Sequence, residues 1–431
     1  MKAKTKATFQ ALMPVVLMLT SAPEERVLED EREAEMRSLL DTAARTPVAT
    51  LAQHLVKPTP GTYIGSGKVT ELAELVKTHG AQQVVFDVQL SPRQQRNLEE
   101  ELGCTVLDYD ELILDIFARN ARTHQAILAV ELARLEYTKS RLRRMWTHLD
   151  RQGAGGGMGS GGLTGTGEKQ IEMDRRQVRK RIQDLKGRLK EIDDRKDRAV
   201  ASREDCFNVA LVGYTNAGKS TLMNALTHAG VLAEDRLFAT LDTRTARLPL
   251  DRFTNVVISD TVGFIRNLPP TLIASFHATL AEVREADVLL HVVDASSSVM
   301  EEQIDAVEAV LKAIGADKVP VVMVFNKIDQ VYSKTILLAF RRRYKLAVSV
   351  SALAGDGLDL LRDAIKTVVA KRVKQVRIRF SAGDGALDSF VRARAHVTGE
   401  TYEDDHAVLS IEVDERALEE LRANAKVEVL S

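Results

Sequence analysis

Gly213-Tyr214-Thr215-Asn216-Ala217-Gly218-Lys219-Ser220 lies between the apolar run Phe207–Val212 and a helix-forming stretch, Thr221–Thr227. Two glycines with four residues between them, then Lys and Ser, in a strand-to-helix setting, are the pattern of a phosphate-binding loop. The glycines let backbone N–H groups surround a β-phosphate, and the helix N-terminus adds a favourable dipole. Lys219 can then bridge β- and γ-phosphates, and the Ser220 hydroxyl can ligate Mg2+. A near-copy, Gly65-Ser66-Gly67-Lys68, has Thr62 in place of the first glycine and Val69 in place of the hydroxyl. It reads as a turn before a helix starting at Thr70, not as a second nucleotide site.

Three further motifs follow in order. The strand-like run Asn255–Ser259 ends in Asp260-Thr261-Val262-Gly263. An acidic residue there holds magnesium through water, and the Gly263 N–H can sense a γ-phosphate. The run Val321–Phe325 ends in Asn326-Lys327-Ile328-Asp329. Asp329 can accept both N1–H and N2–H of guanine, a donor pair that adenine lacks, so the motif selects GTP over ATP. Asn326 would brace this pocket, and the Lys327 stem would cover the base. Ser351-Ala352-Leu353, after the strand Ala347–Val350, can offer backbone N–H to the guanine O6. Four such motifs in this order imply a guanine-nucleotide domain.

The chain has 431 residues, 45% of them hydrophobic, with 60 Lys and Arg against 61 Asp and Glu. At roughly 100–200 residues per domain this length argues for two to four domains. The balanced charge excludes a globally polycationic protein, so nucleic-acid contact would require local segregation of charge. Cys104 and Cys206 cannot build a disulfide framework, which fits a reducing, cytoplasmic compartment. No apolar run approaches the ~18–20 residues that cross a bilayer. Lys2, Lys4 and Lys6 before Ala11–Leu19 resemble a secretory leader, but we read a short buried strand interrupted by Pro14, then an acidic helix from Glu24 to Leu40.

Residues 1–110 alternate strand and helix: a helix at Thr70–His79, strand Gln83–Asp87, helix Pro92–Leu102 and strand Thr105–Leu107. That order predicts a small parallel α/β sheet with crossover helices. Residues 111–200 change to long helices. Leu128, Leu135, Leu142 and Leu149 recur at heptad spacing, and Ile171, Val178, Ile182, Leu185, Leu189 and Ile192 form a second seam. This predicts an antiparallel helical hairpin, and a plain helical linker is compatible with the same pattern. At its tip, nine of the fifteen residues of Gly153–Gly167 are glycine, a composition that holds neither helix nor strand. Arg141, Arg143, Arg144, Trp146, His148 and Arg151 precede it, and Lys169, Arg175, Arg176, Arg179, Lys180 and Arg181 follow. Two readings stand: a flexible linker, or a basic tip that orders on structured nucleic acid. Residues 201–372 carry the nucleotide motifs. Residues 373–431 read strand, helix, two strands, helix, strand, the order of a ferredoxin-like α+β domain.

The sequence resembles the HflX family of ribosome-associated GTPases, in the translation-factor-related class. Outside the nucleotide motifs the resemblance rests on Gly61–Lys68, Leu90–Leu98, Leu112–Ala118, Met145–Leu149, Gly167-Glu168 and Phe238-Ala239-Thr240-Leu241-Asp242. Lys169, where the family usually has Thr, and the first twenty residues depart from its pattern. The resemblance implies that Thr240 completes a magnesium shell only when γ-phosphate is present, beside Lys219 and Gly263 as catalytic groups. Phe264 occupies the place of a water-orienting Gln, which implies slow intrinsic hydrolysis completed by a partner or an ion. Asn216 is either a potassium ligand, as in some relatives, or a structural loop asparagine. The implied partner is the ribosome, chiefly its large subunit and RNA, with no DNA, no stable membrane insertion and a monomeric chain. The implied output is splitting or rescue of stalled ribosomes; the rivals are a large-subunit assembly chaperone and a GTP-switched adaptor for a protein.

Overall fold

The computed structural model describes residues 12–22, 29–153, 176–192, 194, 207–227, 237–238, 243–250, 255–269, 272, 275–331, 340, 342–370, 374–403, 405–413, 418–419, 421–422, 424 and 426–430. Strand and helix alternate first: β1 (Met13–Ser21), α1 (Glu29–Thr42), β2 (Arg45–His54), α2 (Ser66–His79), β3 (Gln83–Phe86), α3 (Pro92–Leu102), β4 (Thr105–Leu107) and α4 (Tyr109–Asn120). The strands form a parallel sheet in the order β2-β1-β3-β4. Val15, Leu17 and Leu19 of β1 join a cluster with residues of α1 and α4, while Val16 and Met18 join one with residues of α2 and α3. A strand covered on both faces is apolar at every position, so Val15–Leu19 show no alternation. The lysine-flanked apolar run thus supplies the inner strand, as expected; the lysines themselves lie outside the described residues. Pro14 sits within β1 and does not interrupt it. It precedes the first β1–β3 pair, Val15 with Gln83, so its missing N–H costs that ladder nothing.

Two helix starts differ from expectation. Within the described residues α1 begins at Glu29, with 23–28 outside them, and it runs on to Thr42. Helix α2 begins at Ser66 rather than Thr70, because extended Gly65 caps it and Ser66, Gly67 and Lys68 fill its first turn. A Cβ at Gly67 would meet nothing within 4 Å, so this glycine costs only its intrinsic ~1 kcal/mol. Helix α3 matches its expected span, with a Ser91–Gln94 capping box and Pro92 in the first turn.

At the C-terminal ends of β1 and β3, the Asp87 carboxylate accepts from Thr20 N at 2.9 Å, Thr20 Oγ1 at 3.0 Å and Arg32 Nη2 at 2.9 Å. Burial nevertheless pushes Asp87 up to about 6 from 3.8, with Arg32 and Thr20 opposing. The folded form holds this proton more tightly, so the stability it lends below pH 4 is lost as pH rises through 6. Asp87→Asn, which mimics the protonated acid, should gain about 2–3 kcal/mol on the parent between pH 4 and pH 7. Urea unfolding at both pH values measures it; a constant difference would refute it.

Helix α5 (His124–Gly153) and α6 (residues 176–192) follow. Leu128 and Leu132 of α5 share a buried cluster with Ile182, Leu185 and Leu189 of α6. Arg181 grips Glu131 at 2.7 and 2.9 Å, and Lys186 meets Glu136 at 2.7 Å. Contrary to expectation, α5 runs through Gly153. One glycine at a helix end costs only ~1 kcal/mol. The rest of the glycine-rich stretch lies outside the described residues.

The second sheet orders β10 (Ala347–Ser349), β9 (Val321–Asn326), β8 (Val288–Asp294), β5 (Phe207–Gly213), β7 (Asn255–Asp260) and β6 (Arg244–Pro249). All its strands are parallel except β6, which runs against β7. Helices α7 (Lys219–Thr227), α8 (His277–Arg284), α9 (Met300–Ala313) and α10 (Leu358–Ala370) belong with it. Ala210 and Val212 of β5 enter the same cluster as α1 and α4, whereas Val209 and Leu211 enter one with α7 and α10. The nucleotide fold thus shares one continuous core with the N-terminal sheet.

The last segment holds β11 (Lys374–Ser381), α11 (Gly385–Arg394), β12 (His396–Glu403), β13 (His406–Val413) and β14 (Glu428–Leu430). Its antiparallel order, β12-β13-β11-β14, is that of a split βαβ. Of the expected helix Glu415–Asn424, residues 418–419 and 421–422 are helical among those described.

Candidate functional site

The loop between β5 and α7 sits at the carboxyl ends of the parallel strands, where open α/β sheets place ligands. Strand β5 ends at Gly213, and α7 opens on Lys219, so the loop amides face the end of a helix. Gly218 has φ +92°, and a Cβ there would collide with the Asn326 side chain. Asn216 takes a left-handed conformation, φ 61°. Lys219 is buried and donates to Gly213 O at 3.1 Å and Tyr214 O at 2.8 Å. Burial pushes its ammonium down to about 8, with Asp260 opposing. His291 of β8 is buried too, and desolvation, reinforced by Lys219, pushes it down to about 3, so it stays neutral.

Strand β7 delivers Asp260 and Thr261 beside this loop. Ser220 Oγ donates to Asp260 Oδ2 at 2.6 Å, and Thr261 Oγ1 donates to Leu211 O at 2.6 Å. Past Val262, a Cβ on Gly263 would lie 2.9 Å from Lys219 Nζ and from Thr215 Cα, so only glycine fits. The next residue ties the two segments together: Thr215 N donates to Phe264 O at 2.7 Å, and Phe264 N donates to Gly213 O at 3.1 Å. The Phe264 ring is buried. Thr215 Oγ1 is buried without a hydrogen-bond partner, a polar group available to a ligand of the loop. The Ser220 hydroxyl and Asp260 carboxylate are hard oxygen donors that suit Mg2+. No group of three or more His, Cys, Asp or Glu among the described residues could hold a metal ion by itself.

On the other side, Asn326 joins the loop to the segment after β10. Its Nδ2 donates to Ala217 O at 2.9 Å, and its Oδ1 accepts from Ala352 N at 3.0 Å. Lys327, at φ 59°, forms an ion pair with Asp294 at 2.7 Å. Ile328 and Asp329 open a short turn in which Asp329 is exposed. Ser351 is buried, its Oγ accepting from Ala354 N at 3.0 Å, while Leu353 is exposed. The structure therefore brings together Gly213–Ser220, Asp260–Gly263, Asn326–Asp329 and Ser351–Leu353. Of the first-switch residues, Phe238 is buried at φ 57° with its carbonyl bonded to Asn120 Nδ2 at 3.0 Å. Ala239, Thr240, Leu241 and Asp242 lie outside the described residues.

The reading from sequence missed three participants. His291 was visible as a lone polar residue in the apolar run Val288–Val293. Asp294, the partner of Lys327, ends that same strand. Glu35, which accepts from the Tyr214 hydroxyl, lies in a helix rich in acids, and nothing in sequence sets it apart.

A strand-to-helix phosphate loop, an acidic strand end and an Asn-Lys-x-Asp turn on one parallel sheet define a P-loop protein of the GTPase class. The profile of the GTP-binding GTPase N-terminal region matches residues 30–118, and that of the middle region matches 120–203. The profile described as 50S ribosome-binding GTPase matches residues 208–327. GTPase HflX of Magnetococcus marinus is 42% identical over 416 residues, covering 95% of each chain. GTPase HflX of Escherichia coli K12 is 42% identical over 388 residues, covering 89% of each. The chain belongs to the HflX family of GTPases and is a GTP-binding, GTP-hydrolysing protein. A GTP-binding protein from Sulfolobus solfataricus in complex with GDP is a looser likeness, 24% identical with TM-score 0.43, covering 83% of this chain and 99% of that one. No helix among the described residues is long and apolar enough to cross a membrane.

Proposed function

We propose that the nucleotide phosphates lie in the loop Gly213–Ser220, with Lys219 spanning the β- and γ-phosphates. Ser220 and Asp260 would hold Mg2+ together with the first-switch Thr240. When bound, the ion supplies positive charge against that developing on the transferred phosphoryl. Gly263 presents its N–H to the γ-phosphate. Asp329 accepts from guanine N1–H and N2–H, the Lys327 stem covers the base, and the Ser351-Ala352-Leu353 segment donates to O6. The observation that carries this reading is the pair of hydrogen bonds by which Asn326 donates to Ala217 O and accepts from Ala352 N, joining the loop to the segment after β10.

The chain acts in the cytoplasm on the ribosome, chiefly the large subunit, and splits or rescues stalled particles in a GTP-dependent cycle. The matched ribosome-binding GTPase profile and the cations around the glycine-rich segment support this. The buried Phe264 ring can neither donate to nor accept from an attacking water, so intrinsic turnover is slow and the ribosome supplies what is missing.

Replacing Arg143, Arg144, Arg175 and Arg176 with Ala should weaken co-sedimentation with ribosomes, with the larger loss at low salt. Fewer phosphate counterions are then released on binding, and the salt slope flattens by about one unit for each phosphate no longer neutralised. Hydrolysis without ribosomes should stay unchanged, and ribosome-stimulated hydrolysis should fall with binding. Unchanged co-sedimentation at every salt concentration would make the segment a linker. Conversion of whole ribosomes to subunits, followed by sedimentation with GTP, GDP and a non-hydrolysable analogue, separates splitting from assembly.

A further inference from the structure

One polar chain crosses from the N-terminal sheet into the nucleotide site. The Tyr214 hydroxyl, in the phosphate loop, donates to the Glu35 carboxylate of α1 and accepts from Arg266 N at 2.9 Å. Arg266 O in turn accepts from the Tyr109 hydroxyl of α4 at 3.0 Å. Arg266 stands just beyond Gly263 and Phe264, and the Phe264 backbone already brackets Tyr214 from the other side through Thr215 N and Gly213 O. The segment after Gly263 is therefore fastened to the phosphate loop twice, once by backbone and once by a tyrosine hydroxyl that Glu35 orients.

We propose that Glu35 is a positioning residue for GTP hydrolysis: by accepting the hydrogen bond of the Tyr214 hydroxyl it turns the hydroxyl lone pairs toward Arg266 N and so holds the Gly263 segment against the phosphate loop. A phenol has one proton and two acceptor sites, so the partner of that proton decides where the lone pairs point. Burial and the neighbouring Glu35 push the Tyr214 phenol well above its ordinary value, so it remains a donor at any working pH. Tyr109 secures the same residue from its carbonyl side and is itself buried. The acid acts from outside the nucleotide fold, which makes the N-terminal sheet part of the hydrolytic apparatus and not only an appendage to it.

This inference rests on the reading that the Gly263 N–H faces the γ-phosphate. GDP has no γ-phosphate, so losing the fastening should slow hydrolysis while sparing GDP affinity. In the full chain, Glu35→Ala should lower the single-turnover rate at saturating GTP about tenfold, with KM and GDP affinity changed less than twofold. Glu35→Gln keeps an oxygen acceptor and should restore most of the rate. Tyr109→Phe removes only the carbonyl-side bond and should slow turnover about threefold; this variant decides the matter if Glu35→Ala does not fold. The proposal is overturned if Glu35→Ala or Tyr109→Phe turns over at the parent rate. It is equally overturned if Glu35→Gln is as slow as Glu35→Ala, or if rate and GDP affinity fall together. A failure of the pocket reading looks different: Lys219→Ala would then hydrolyse GTP as the parent does, an outcome independent of Glu35.

Discussion

Asp329→Asn should turn this GTPase from guanine to xanthine nucleotides. In the proposed pocket the carboxylate would accept two hydrogen bonds from guanine, N1–H and N2–H. The amide keeps one acceptor but sets an N–H donor against the N2 amino group. Hydrogen bonds to a charged group contribute about 1.5–3 kcal/mol each, and a donor facing a donor adds a penalty. GDP affinity should therefore fall about 100-fold or more, since each 1.4 kcal/mol is tenfold. Xanthine carries a carbonyl at that carbon, so the amide donor finds an acceptor and xanthosine diphosphate should bind more tightly than GDP. Asp329 is exposed at the start of its turn, so the substitution should leave the thermal midpoint nearly unchanged. Competition binding of the two diphosphates measures the preference. Undiminished selectivity for GDP would place the base elsewhere.

Lys219→Ala should abolish measurable turnover while leaving the fold as stable as before, or more so. The ammonium is buried, and its partners are the carbonyls of Gly213 and Tyr214. Burial drives it down to about 8 from 10.5, so its charge costs the folded chain more than it contributes at neutral pH. Removing it should lower the hydrolysis rate by a factor of 100 or more, because in the proposed arrangement its ammonium acts beside Mg2+ to neutralise charge across the β- and γ-phosphates. The linkage sign gives a second readout. Between pH 8 and pH 10.5 the unfolded chain binds more protons than the folded one, so the parent gains stability as pH rises. The variant should lack that gain. Circular dichroism melts at pH 7.5 and 10 beside a phosphate-release assay test both parts; loss of helical signal in step with activity would show that Lys219 props up the core.

Much of this molecule is local in its information. The order of strands and helices through residues 66–120, the phosphate loop and the Asn-Lys-x-Asp turn depend on neighbours in the chain. Gly, Pro and a capping Ser act over one turn, and an apolar run with no alternation announces a strand buried on both faces. Val15–Leu19 was legible as a core strand for that reason, even beside a lysine-rich start. The Asn-Lys-x-Asp segment was legible as the end of a strand, and the structure places Asn326 at the end of β9 with Asp329 in the turn that follows.

Tertiary structure decided what distance along the chain conceals. Glu35 and Tyr214 meet across 179 positions, and Tyr109 and Arg266 across 157. Their pairing depends on α1 and α4 packing into the core that also takes Ala210, Val212 and Phe264. The start of α2 has both kinds of cause: extended Gly65 caps the helix locally, and Val69, Leu72 and Val76 bury its face in the sheet's core. The downward shift of Lys219 likewise exists only once β7, β8 and the loop surround it. Motif chemistry is a property of residue types at short spacing, and it can be read from the chain. Burial, ionisation and the contact between two domains are properties of surfaces that form only when the chain has folded, and the sequence alone does not state them.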